Sequence, residues 1–284
     1  PNCTLLKPSG PISGASNYSK QLKNFPGEKD GLAVLKKNSL IGRIFIGTGL
    51  ASAVTGIVLS TSREVLTLFV ILWILFATVE FLNLLRTAEI YLNLWLILLL
   101  NLSVALAAYF KLLPGFLIAP IGVIFLWNTT LRHPIPRIPV YSLFTLIYLG
   151  FLPSHLILLR SLVAEKHLSP WLTLFPLILT WANDTVAYAI GRMIGKRQLA
   201  PALSPKKTVE GFVAGIVFSA LLSWFWLPKI VSFFNRPFWL WAWSGAVLGI
   251  FAQAGDLFES LFKRAAGMKD SSTFFGAHGG FLDR

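Results

Sequence analysis

From residue 41 onward the chain alternates long apolar runs with short polar breaks. Eight such runs stand out, at 41–59, 65–85, 91–110, 112–131, 140–159, 170–190, 209–227 and 237–255. Each is close to the ~20 residues a helix needs to cross ~30 Å of hydrocarbon. Within hydrocarbon only a helix or a closed barrel satisfies its own backbone. The pattern therefore predicts an all-α, polytopic integral membrane protein with about eight transmembrane helices. The third and fourth runs are separated by little more than Lys111, which predicts a tight hairpin. Residues 1–39 lack apolar periodicity and are rich in Gly, Pro, Ser, Asn and Lys. They predict a mobile basic tail. The first apolar run comes too late for a signal peptide, while a transit-peptide remnant stays open.

Composition agrees with that class. Hydrophobic residues make up 55% and charged residues 13% of the 284, a profile outside the soluble globular range. The net charge of +13 is assigned to cytoplasmic loops and not to nucleic acid. With the tail inside and the runs alternating, 19 of the 25 Lys and Arg residues fall on the inner side. That asymmetry places the tail and the last residues in the cytoplasm. The single cysteine, Cys3, has no partner for an internal disulfide.

Acids are few, so their positions carry information. Six of the 12 Asp and Glu residues lie in the last 101 residues: Asp184, Glu210, Asp256, Glu259, Asp270 and Asp283. In the first five runs only Glu80 falls inside hydrocarbon. The chain is thus expected to divide into the tail (1–39), a transmembrane scaffold (40–165) and a catalytic region with a cytoplasmic-side site (166–284). The scaffold would also serve as anchor or as the contact of a homodimer.

Three constellations follow. Asp256 sits at the inner end of the last run, and helical spacing puts Ser260 and Lys263 within about 60° of it. Acid, hydroxyl and base at a membrane boundary suit a metal with a phosphate-bearing substrate. A loop folding back would let Asp283 meet Asp256, a pair suited to Mg²⁺. The alternative for these acids is a buried ion pair with Lys263 or Arg284. Next, the loop between the sixth and seventh runs carries Ser204, Pro205, Lys206, Lys207 and Thr208. Its lysines are point charges ready for a triphosphate, and Ser204 or Thr208 would cap the helix opening at Val209. Finally, Asn183 and Asp184 lie near mid-run, with Tyr188 one turn on. They read either as a polar pocket or as an interhelical clamp. His278 has no second histidine at ligand spacing, which argues against zinc. Gly279 and Gly280 beside it suggest backbone close to a phosphate.

The order Ser260, Lys263-Arg264, Lys269-Asp270, Ser272, Gly276, His278-Gly279-Gly280, Asp283-Arg284 resembles the signature of the phosphatidate cytidylyltransferases, the CDP-diacylglycerol synthases. The Ser204-to-Gly211 element and the run from Asp184 to Arg192 are similar to that family too. The resemblance implies cytidylyl transfer from CTP to phosphatidic acid in a lipid bilayer, giving CDP-diacylglycerol and pyrophosphate. It implies Mg²⁺ on Asp256 and Asp283, with a second, monovalent cation left open. Lys206 and Lys207 would hold the leaving phosphates, and Lys263 or Arg264 the lipid phosphate. Asn183, Asp184, Tyr188, Ser204, Ser260, Lys269, Asp270, His278, Gly279, Gly280 and Arg284 would line the substrates. The family pattern continues to a further acid and a last membrane helix, so this sequence is expected to be truncated after Arg284. Pro1 in place of Met suggests a missing start as well. The rival readings are a CTP-dependent polyprenol or phytol kinase, which would release CDP, and an ion-coupled transporter using Asp184 and Asp256.

Overall fold

The structure is a computed structural model that describes residues 47–49, 51–59, 62–131, 135–231, 237–268, 271–272, 274 and 279–283. The chain divides into two units, Pro1–Thr48 and Gly49–Arg284. The tail expected at 1–39 lies outside the described residues.

Residues 51–59 are helical. They are followed by α1 (Arg63–Thr87), α2 (Leu94–Tyr109), α3 (Leu113–Phe116) and α4 (Ile118–Thr129). A long helix then runs from α5 (Arg137–Thr145) through a π-helical turn (Leu146–Phe151) into α6 (Leu152–Glu165). After it come α7 (Trp171–Ile194), a hairpin of β1 (Gln198–Ala200) and β2 (Ser204–Thr208), α8 (Val209–Ile230) and α9 (Phe238–Ala265). The short antiparallel hairpin pairs Gln198 with Thr208 and Ala200 with Ser204. It is the departure from the all-helical expectation, and it lies in what the sequence offered as a loop.

Among the described residues, three helical spans are long and apolar enough to cross a membrane: Arg63–Thr87, Arg137–Glu165 and Val209–Ile230. The runs expected as crossings three and four contain shorter helices. α2 has 16 residues and α4 has 12, so they rise only ~24 and ~18 Å. Between them the backbone turns at Lys111, in the left-handed region with φ 59°. α7 and α9 are long, at 24 and 28 residues, but both carry polar side chains toward their C-terminal ends.

Two apolar cores hold the N-terminal helices. Leu66, Val70 and Ile74 of α1 pack with Val104 and Ala108 of α2 and Ile157 of α6. Further along α1, Ala77, Phe81 and Leu84 pack with Ile97 and Leu149, and Phe262, Phe281 and Leu282 from the other end of the chain lie against them. The π-helical turn brings Gly150 against the side chain of Asn101, a close approach that a one-residue insertion in a helix makes available.

The last three helices pack by close backbone approach. On α8, small residues recur every fourth position at Gly211, Gly215, Ser219 and Ser223, all buried. A Cβ on Gly215 would overlap the side chains of Asn183 and Gln253, and one on Gly245 would overlap the Ser219 carbonyl. Small residues on a helix seam let neighbouring backbones approach in this way. Asn183 of α7 is wholly buried. Its amide donates to the Gly249 carbonyl at 3.0 Å and accepts from Gln253 Nε2 at 2.8 Å. Both ends of the amide are spent on joining α7 to α9.

Candidate functional site

The cytoplasmic ends expected for α7, α8 and α9 do converge, and the hairpin lies between the first two of them. The hairpin ends in a helix cap. Thr208 is extended, and its hydroxyl accepts from the Gly211 N–H at 3.2 Å, as the sequence offered for Ser204 or Thr208. Glu210, in the first turn of α8, accepts from the Arg197 N–H at 3.3 Å through both carboxylate oxygens. That contact fastens the hairpin to the helix start. The strand consequently projects Lys206 outward, exposed, and turns Lys207 inward.

Lys207 Nζ meets Asp256 Oδ2 at 2.6 Å. Asp184 lies within electrostatic range of both groups. The hairpin, α7 and α9 thus each contribute one charged side chain to the same place. Tyr188, also expected there, is 64% exposed. Ser204 opens β2, opposite Ala200.

About two turns further along α9 is a second ion pair. Lys263 Nζ stands 2.7 Å from Glu259 Oε1 and 2.8 Å from Asp283 Oδ1. This is the pairing the sequence left open as the alternative to a metal on Asp283. The second Asp283 oxygen, Oδ2, accepts from the Ser271 N–H at 2.9 Å, the Ser271 hydroxyl at 2.8 Å and the Gly280 N–H at 2.8 Å. Gly279 has φ +80°, a conformation open to glycine at little cost. A Cβ there would also overlap the Asp283 carboxylate.

Electrostatics follow from this packing. Burial raises the Asp283 carboxyl, but the ammonium of Lys263 and the donors from Gly280 and Ser271 outweigh it and hold the group well below the usual carboxylate range. Burial is also the largest influence on Glu259. Lys263 opposes it, the nearby Asp283 charge adds to it, and the carboxyl is pushed up to about 7. Burial lowers the Lys263 ammonium, while its two carboxylate partners together raise it further. Asp283 is therefore the ionised partner, and Glu259 titrates near neutrality.

Arg264, on the next position of α9, points elsewhere. Its Nε donates to the Leu203 carbonyl and its Nη1 to the Met268 carbonyl, both at 3.3 Å. It ties α9 to the hairpin turn. Ser260 is half-buried on α9. Lys269, Asp270, His278 and Arg284 lie outside the described residues.

Two contributors carry no site role that the sequence alone shows. Glu259 reads from sequence only as one of the few acids. Glu80 of α1 is buried, and it accepts from Ser271, Ser272 and Leu282 of the C-terminal loop. It crosses the expected division between scaffold and catalytic region at residue 165. The signal was present in the sequence: an acid alone among five apolar runs is costly unless something binds it.

A sequence model of the Cytidylyltransferase family matches residues 41–284. Among curated proteins, a phosphatidate cytidylyltransferase of Staphylococcus haemolyticus is 43% identical over 114 residues, covering 39% of this chain and 42% of its own length. One of Aquifex aeolicus is 41% identical over 145 residues, covering 50% of this chain and 52% of its own. One of Staphylococcus aureus is 40% identical over 114 residues, again 39% and 42%. The chain therefore spans about half the length of the curated relatives it matches, 42–52%.

Proposed function

The chain belongs to the cytidylyltransferase family, and on that premise we propose that the protein transfers a cytidylyl group from CTP to phosphatidic acid. The observation that carries the proposal is the pair of ion pairs along α9. Lys207–Asp256 and Lys263–Asp283 bring a hairpin, a helix and a C-terminal loop to one helix end, setting lysines suited to phosphates beside carboxylates suited to a cation. A phosphate oxygen of the lipid attacks the α-phosphorus of CTP. The bond from that phosphorus to the bridging oxygen of the β-phosphate breaks, and pyrophosphate leaves. The lipid phosphate is already a nucleophile, so the protein's task is placement and charge stabilisation. Lys206 and Lys207 face the triphosphate, and Lys263 the lipid phosphate.

Mg²⁺ is the cofactor this reading implies, and it would offset charge on the triphosphate. Asp256 suits it. Its carboxylate is half-exposed and meets Lys207 through one oxygen, leaving acceptor positions for a hard ion. Asp283 as held here suits it less, because four donors already occupy its two oxygens. Asp283 would join a metal only by releasing Lys263. Among the described residues no group of three or more His, Cys, Asp or Glu side chains is placed to hold a metal. On this reading the protein is a multi-pass integral membrane protein of about eight spans, in a bacterial inner membrane or an organelle membrane. Its site opens to the cytoplasm for CTP and sideways to lipid.

The test follows a label. The full-length protein in detergent is given phosphatidic acid, Mg²⁺ and CTP labelled at the α-phosphate. Label in the lipid fraction with release of pyrophosphate is the expected result. Label in soluble CDP, appearing only with a prenyl alcohol, would instead identify a kinase. Unchanged CTP throughout would overturn both.

A further inference from the structure

Glu80 lies within the apolar run of α1, far in sequence from the ion pairs, yet it holds the loop that carries Asp283. It is 9% exposed. Its Oε1 accepts from the Ser272 hydroxyl at 2.6 Å. Its Oε2 accepts from the Leu282 N–H at 2.8 Å and the Ser271 hydroxyl at 3.1 Å. Among the described residues these partners are all neutral donors, and all come from the C-terminal loop.

Two further features join Glu80 to Asp283. The Ser271 hydroxyl lies between their carboxylates, 2.8 Å from Asp283 Oδ2 and 3.1 Å from Glu80 Oε2. A hydroxyl has one proton to donate, so the two acids share a single donor. A Cβ on Gly280 would overlap both Glu80 carboxylate oxygens and the Ser272 hydroxyl. The absence of a side chain at Gly280 is thus what allows the carboxylate to enter the loop.

The same face of α1 grips the loop with rings. Trp73, Phe76 and Glu80 are spaced at three and four residues and so lie on one side of the helix. Phe281 stacks on Phe76 at 4.7 Å between centroids with an interplanar angle of 13°, and meets Trp73 edge-on at 5.1 Å. The residues on either side of Leu282 are therefore both fixed: Phe281 by aromatic contacts and Asp283 by Lys263. Glu80 holds the backbone between them.

We propose that Glu80 is a positioning residue of the transfer reaction, setting the C-terminal loop so that Asp283 faces Lys263. This rests on the cytidylyl-transfer reading given above. Glu80 touches no substrate on this account and acts through Ser271, Ser272 and Leu282. An amide in its place cannot accept all three donors, because one of its ends is itself a donor. Loss of the carboxylate loosens the loop and shifts Asp283 relative to Lys263, and displacements of about 1 Å at a reacting centre cost about 10²-fold in rate.

The test uses the full-length protein in detergent and compares wild type with Glu80→Gln and Thr78→Val. Thr78 is a buried polar residue on the same helix that bonds Ile74 and Asn101 rather than the loop. Hydrogen exchange over residues 271–283 is read without substrate, and kcat and KM for CTP are read by label transfer. In Glu80→Gln the loop should exchange faster and kcat fall about 10²-fold, with KM changed little. Thr78→Val should keep wild-type exchange in the loop. Adding Ser271→Ala and Ser272→Ala to Glu80→Gln should lower kcat by less than the product of the separate losses, since the three act as one unit. An inactive wild type would overturn the transfer reading, with the exchange comparison still reporting on Glu80. Wild-type kcat and exchange in Glu80→Gln, or equal loop exchange in Glu80→Gln and Thr78→Val, would overturn the role of Glu80.

Discussion

Lys263 Nζ stands 2.8 Å from Asp283 Oδ1, with side-chain exposures of 14% and 8%. The ammonium is shared with Glu259 at 2.7 Å, so one cation serves two carboxylates of different character. Asp283 is stripped of solvent and surrounded by donors. Glu259 has the cation as its chief compensation.

Replacing Asp283 by Asn should remove most cytidylyl transfer. The variant keeps the shape of the side chain but cannot accept from Lys263, Ser271 and Gly280 together. A loss on the order of 10²–10³ in kcat is expected, the range seen when one electrostatic contact to a developing charge is removed. Label transfer into lipid at saturating CTP and phosphatidic acid measures it. Near-normal turnover would sink the assignment of this acid to the site.

Lys207→Met tests the other ion pair. The apolar stem is kept and the charge on Asp256 loses its partner at 2.6 Å. On the proposed role of Lys207 at the triphosphate, the effect should appear in KM for CTP as well as in kcat, together lowering kcat/KM by about 10²-fold. The adjacent, exposed Lys206 has no such pairing in the described structure, and Lys206→Met should cost less. Equal losses at the two positions would argue against the distinction.

Glu259 predicts a particular pH dependence of stability. Its carboxyl is raised from 4.5 to about 7, so between those values the folded protein binds more protons than the unfolded chain. Stability from this group is present below the unfolded pKa and is lost as pH rises toward 7. Asp283, lowered in the fold, acts in the opposite direction, and its contribution is lost only in acid. The thermal midpoint in detergent should therefore fall as pH rises from about 5 to about 7 in wild type, with a flatter profile in Glu259→Gln. Identical slopes in the two proteins would count against the raised carboxyl.

Gly215→Ala tests the packing of the last three helices. The added methyl would overlap the side chains of Asn183 and Gln253, breaking the amide contact between them. Overpacking of this kind costs about 1–3 kcal/mol, read as a lowered thermal midpoint. The same change at Gly255, where a Cβ meets nothing within 4 Å, should not destabilise the helix.

Much of this protein is determined by short-range sequence. The apolar runs at 65–85, 140–159 and 209–227 appear inside helices Arg63–Thr87, Arg137–Glu165 and Val209–Ile230, because hydrocarbon length and backbone satisfaction leave a helix little alternative. The Thr208 cap is legible as well, because it spans only four residues. The spaced signature from Ser260 to Arg284 likewise pointed to the cytidylyltransferase family. Tertiary structure decided the partners. Nothing within a turn of Asp283 says that it meets Lys263, or that Lys207 rather than Lys206 reaches Asp256. Those choices depend on how the hairpin and the C-terminal loop lie against α9. Asn183 reads from sequence as pocket lining, with an interhelical clamp as the alternative, and only the close approach of α7, α8 and α9 brings its amide to Gly249 and Gln253. Glu80 is the clearest case. Its cost in an apolar run could be read from sequence, but its partners lie 191 to 202 residues away, and only the folded packing of α1 against the C-terminal loop brings them within hydrogen-bonding distance.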